Sequence, residues 1–79
     1  MDYYRIGQRV RAFRRAQGLS QEELAEKIGI SITHMSHIET GNTKLSLPVF
    51  LRLAQALGVR TDDLLREDGG DRAPELEEL

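Results

Sequence analysis

The chain has 79 residues, which allows one domain with one small core, and a core that small favours self-association. It contains no cysteine, so neither disulfides nor a cysteine-ligated zinc hold it together. The formal net charge of −2 is uneven: residues 1–65 carry nine Lys and Arg against seven Asp and Glu, while residues 66–79 carry two against six. A mildly basic body therefore precedes an acidic tail, and the charge by itself neither selects nor excludes nucleic acid.

No apolar run is long enough to span a membrane. The opening stretch, MDYYRIGQRV, is charged and amphipathic, unlike a signal peptide, and a cytoplasmic location is expected. No stretch alternates with the period of a strand, so the chain reads as all-α. Gly18, Gly29, Gly41 and Gly58 each follow an apolar-periodic segment, where a left-handed helix C-cap belongs. They divide the body into four short helices, with a fifth after Gly58.

The first helix is expected from about Tyr3 to Gln17. Tyr3, Ile6, Val10 and Phe13 recur at spacings of three and four and make a buried stripe. Arg5, Arg9, Arg11, Arg14 and Arg15 surround it, either as a solvated face or with some of them touching phosphates. The second helix starts at "SQEE", where Ser20 and Glu23 form a capping box, and Leu24, Ala25 and Ile28 face inward. Gly29 ends it, and Ser31 caps the next helix two residues later. A turn that short forces two helices to cross steeply.

On the third helix, Met35 and Ile38 point to the core. Thr33, Ser36, His37 and Thr40 share the opposite face within about 100° of one another. An ordinary solvent face would carry Lys and Glu. Short donors and acceptors suit close contact with another polar surface. Ile32 and His34 lie on the flanks. His34 and His37, at i and i+3, raise the question of a metal, but a third ligand is missing and none is expected. Ser36 beside a histidine in sequence is not a catalytic triad.

The fourth helix starts at Ser46, with Leu47, Phe50, Leu51, Ala54 and Leu57 as its expected apolar face and Gly58–Val59 as a Schellman cap. A fifth, short helix is expected with Thr61 as cap, Asp62 and Asp63 at its positive end, and Leu64 and Leu65 packing. Residues 1–66 form the expected domain, and 67–79 an acidic tail, disordered or a frayed helix.

The stretch GLSQEELAEKIGISITHMSHIETGN closely resembles the helix-turn-helix of phage repressor and Cro-like, or XRE-type, transcriptional regulators. The resemblance covers roughly residues 5–65. Its marks are a small residue at Ala25, a glycine at Gly29, apolar residues at Leu24, Ile28, Ile30, Met35 and Ile38, and "ALGV" at Ala56 to Val59. It implies a compact five-helix, lambda repressor-like bundle. Its recognition helix, about residues 31–40, would enter the major groove of double-stranded DNA, and a homodimer would bind a palindromic operator. It further implies base contacts from Ile32, Thr33, Ser36 and His37. Phosphate contacts would come from Gln21, Thr40, Asn42 and Lys44, with Arg9 as a further phosphate contact. Arg14 and Glu39 would form a structural ion pair, and a dimer surface would include Val59, Arg60, Leu64 and Leu65.

One position departs from the family pattern. Ile32 stands where family members often carry glutamine or another hydrogen-bonding reader. It either packs on a thymine methyl or folds back on the core. No cofactor and no enzymatic activity are expected, because no carboxylate pair, phosphate loop or metal set is present. The competing reading is a protein-interaction module, antitoxin-like or an assembly partner, built on the same fold.

Overall fold

The computed structural model describes residues 1–66. The acidic tail expected over 67–79 lies outside the described residues. Five helices follow one another: α1 (Tyr3–Ala16), α2 (Gln21–Ile28), α3 (Ile32–Thr40), α4 (Leu47–Leu57) and α5 (Thr61–Leu65). Among the described residues there is no strand, and the expected all-α bundle is what forms.

Four helices begin at a side-chain oxygen that accepts an otherwise unpaired N–H of the first turn. The Asp2 carboxylate accepts from Arg5 at 3.0 Å, and the Ser31 hydroxyl accepts from His34 at 3.0 Å. Ser46 accepts from Val49 at 3.4 Å. Ser20 and Glu23 form the expected capping box, with reciprocal bonds of 2.9 and 2.8 Å. At α5 the expectation shifts by one residue. Thr61 is the first helical residue rather than the cap, and the Asp63 carboxylate accepts from the Arg60 N–H at 2.9 Å. The acid pairs the N–H of the residue before the helix, not a first-turn N–H as a threonine cap would.

At the C-termini, Gly29, Gly41 and Gly58 all have positive φ. Val59 N–H reaches the Ala54 carbonyl at 3.0 Å, completing the Schellman motif.

The core draws Ile6 and Val10 from α1, Leu24, Ala25 and Ile28 from α2, and Met35 and Ile38 from α3. Val49, Leu53, Ala54 and Leu57 from α4 and Leu64 from α5 complete it. Burying a side chain such as Leu24, Met35 or Leu53 is worth about 1.5–3 kcal/mol each. Two expectations are corrected here. The α4 face is turned toward Val49 and Leu53, while Leu47 and Leu51 are 66% and 46% exposed. The segment LPVFLRLAQAL is apolar on more than one side, so periodicity alone could not choose the face. Leu64, expected on a dimer surface, is wholly buried and belongs to the core.

α1 lies unusually close to α3. A Cβ at Gly7 would stand 2.2 Å from the Ile38 carbonyl oxygen, so only glycine lets the two backbones meet there. At Gly41, where φ is +76°, a Cβ would stand 2.7 Å from the Cα of Tyr4. The Gln8 side-chain amide adds a bond of 3.2 Å to the Glu39 carbonyl. The back of α3 is thereby held against α1 along its C-terminal half.

Candidate nucleic-acid interface

The inner side of α3 is fixed by a buried polar cluster. Arg14 Nε donates to Glu39 Oε2 at 2.6 Å and its NH2 donates to Oε1 at 3.0 Å, a bidentate pair. The third guanidinium nitrogen donates to the Leu19 carbonyl at 2.8 Å, in the turn before α2. Gln21 Nε2 donates to Glu39 Oε1 at 2.9 Å. Glu39 is 1% exposed, so its charge is matched almost entirely by protein donors. The hydrogen bond to Glu39 raises the Arg14 pKa above the ordinary arginine value; burial opposes this and the carboxylate charge adds to it. This one cluster ties α1, the turn before α2, the start of α2 and the end of α3 together.

The Arg14–Glu39 pairing is the one implied by the resemblance, and Gln21 joins it. The Gln21 amide has a second N–H and a carbonyl oxygen beyond the bond to Glu39, and the residue is half-buried.

The outer side of α3 presents Thr33, His37 and Thr40, all exposed, with Ser36 half-buried among them. The Thr40 hydroxyl donates into its own helix, to the Ser36 carbonyl at 2.9 Å, and accepts from Asn42 Nδ2 at 3.0 Å. Thr40 and Asn42 thus form one exposed polar knuckle where α3 ends, and Lys44 is exposed just beyond it. Ile32 opens the helix and is 48% exposed. His34 is half-buried on the flank.

Arg9 is placed elsewhere. Its guanidinium donates to the Asp63 carbonyl of α5 and lies 5.5 Å from the Phe13 ring centroid. Its long side chain is employed in holding α5 to α1, which is why it does not join Gln21, Thr40, Asn42 and Lys44.

Of the residues expected at a dimer surface, Arg60 is exposed, Val59 packs half-buried against the core, and Leu65 is 45% exposed. Sequence reasoning missed the company Leu65 keeps. Together with Leu47, Phe50, Tyr3 and Met1 it lines a shallow apolar groove between α1, α4 and α5. Leu51 extends the apolar surface one turn further along α4. The signal was present as the excess of apolar residues in α4 over what one face can bury.

Residues 5–67 match the family model described as a helix-turn-helix domain. The chain is 38% identical over 58 residues to the HTH-type transcriptional regulator YazB of Bacillus subtilis, covering 73% of this chain and 84% of YazB. It is 40% identical over 61 residues to the control protein C.BamHI of Bacillus amyloliquefaciens, covering 76% of this chain and 75% of that protein. Over 63 residues it is 33% identical to the immunity repressor protein of Bacillus phage phi105, of which it spans 44%.

Among solved structures, the restriction-modification controller protein C.AhdI of Aeromonas hydrophila superposes with a TM-score of 0.77 at 40% identity, covering 80% of this chain and 96% of that one. The biofilm master regulator SinR in complex with DNA superposes with a TM-score of 0.71 at 35% identity, covering 77% and 98%. The fold, the glycine-turned pair α2–α3 and these matches agree: the chain belongs to the XRE-type family of helix-turn-helix transcriptional regulators.

Proposed function

We propose that this protein is a sequence-specific, double-stranded DNA-binding transcriptional regulator that inserts α3 into the major groove. The observation that carries the reading is the division of α3 into two sides. One is locked to α1 through Gly7, Gly41 and the Arg14–Glu39–Gln21 cluster. The other offers Thr33, Ser36 and His37 with no core duty. A helix fixed from behind delivers its outer side chains to base edges in one register. The domain occupies residues 1–66 and acts in the cytoplasm.

Thr40, Asn42 and Lys44 at the end of α3, with Gln21 at the start of α2, supply phosphate contacts that set the docking angle. With so few cationic groups there, affinity falls only shallowly with salt. The operator is palindromic and bound by a homodimer, with half-sites about one helical turn apart. The copies meet through the apolar surface of Leu47, Leu51 and Leu65, which an isolated chain leaves in water. The test is titration of a labelled duplex, selected from random sequence, at several salt concentrations. Absence of binding at every salt, with dimer present, rejects the proposal.

One observation favours a second reading, a protein-interaction module: the same groove is equally suited to another protein. SinR has also been solved in a SinR–SinI protein complex, to which this chain superposes with a TM-score of 0.76 at 34% identity, covering 91% and 71%. Replacing Thr33 and His37 with alanine separates the readings, since it abolishes DNA binding and spares a partner seated on Leu47 and Leu65.

A further inference from the structure

We infer that Ile32 reads the 5-methyl group of a pyrimidine, so that the bound duplex carries thymine, or 5-methylcytosine, opposite the first turn of α3. The inference rests on the DNA-binding reading and gives it a chemical specificity.

Ile32 is the first residue of α3, immediately after the Ser31 cap, and the N-terminal residues of a recognition helix are the ones that meet base edges. It is 48% exposed, whereas its neighbour Ile30 is partly buried against the core. About half of its surface thus stays open to solvent instead of folding back on the core. Its side chain holds no donor and no acceptor.

The major-groove edges of the four bases present nitrogen and oxygen donors and acceptors, and one apolar group, the pyrimidine 5-methyl. Isoleucine set against guanine N7 and O6, or against an exocyclic amine, strips water from a polar atom and returns no hydrogen bond. Set against a methyl, it removes water from two apolar surfaces at once.

The surroundings agree. Ile32, Ile30 and Ala25 line a shallow depression bordered by Glu22 and Glu26. Ser36 lies one turn on, about 40° round the helix, where its hydroxyl meets the polar edge of the same or the adjacent pair.

The experiment replaces each thymine of the selected duplex with deoxyuridine, which deletes one methyl and leaves the pairing intact. Substitution at the contacted position of one half-site should weaken wild-type binding about fourfold, and in both half-sites together about fifteenfold, the worth of one buried methyl per site. Ile32→Ala should bind the thymine and uracil duplexes equally, while Ile32→Val should retain most of the discrimination. Ile32 being 48% exposed, the helical content of both variants measured by circular dichroism should match wild type. Placing a cytosine at the same position, with and without 5-methylation, separates the two sources of the methyl.

A duplex that binds well yet shows no methyl effect overturns the inference and leaves the DNA-binding reading standing. An equal methyl effect in Ile32→Ala also overturns it, by assigning the contact to another residue. Failure to enrich any duplex overturns both.

Discussion

Glu39→Ala isolates the cluster on which the interface depends. Glu39 is 1% exposed and its carboxylate accepts from two nitrogens of Arg14 and from Gln21. Its removal leaves a guanidinium, itself 8% exposed, without a counter-charge, because the Leu19 carbonyl satisfies only one of its donors. Breaking a buried pair from one side costs about 3–5 kcal/mol. A domain of this length has roughly 3–10 kcal/mol of stability in all, so the variant should be barely folded at 25 °C.

Urea unfolding followed by helical circular dichroism measures the loss as a lowered midpoint at constant m-value. The double variant Arg14→Met, Glu39→Leu should recover at least half of it. No charge is then left buried, and Gln21 loses only one hydrogen bond, worth about 1 kcal/mol. A single-variant loss under about 1 kcal/mol, or a double variant no better than the single, would refute the argument that the cost lies in an unmatched buried charge.

Gly7→Ala should destabilise by about 1–3 kcal/mol in the same assay, since the added Cβ meets the Ile38 carbonyl, whereas Ala12→Gly at an exposed position of α1 should cost only about 1 kcal/mol. Changing Leu47, Leu51 and Leu65 together to serine should lower the monomer's unfolding midpoint, because part of each leucine is covered, and shift sedimentation of the folded protein toward the monomer; a dimer that survives would place the contact elsewhere. Because the Arg14 pKa is raised in the folded state, its contribution is fully present below the unfolded value and is lost only as pH rises through the higher folded one. The stability difference between wild type and the Arg14→Met, Glu39→Leu double variant should therefore be the same at about pH 7 and about pH 10, measured as paired urea midpoints.

Helix limits were legible wherever local chemistry sets them. Ser20 with Glu23, Ser31, Ser46 and the glycines at 29, 41 and 58 each act within a few residues of their own position. The outer face of α3 was legible for the same reason, since a helical wheel needs no partner. The Arg14–Glu39 pair was reached through family resemblance, because a separation of 25 residues carries no signal in one sequence. Long-range geometry was hidden. Nothing in α1 announces that Gly7 seats the α3 backbone, and nothing in the Gln21 side chain decides between Glu39 and a phosphate. The α4 face was misjudged because leucine and valine occur all round the helix, so only the positions of α2 and α5 decide which of them are covered.

The division of α3 also bears on how such a protein changes its target. Thr33 and His37 stand in solvent, while Met35, Ile38 and Glu39 carry the packing. Substitutions on the outer face therefore escape the stability penalty that constrains most of so small a chain. On the base-reading role proposed for that face, operator preference can drift, or be redesigned, by rewriting a few surface letters on an unaltered chassis.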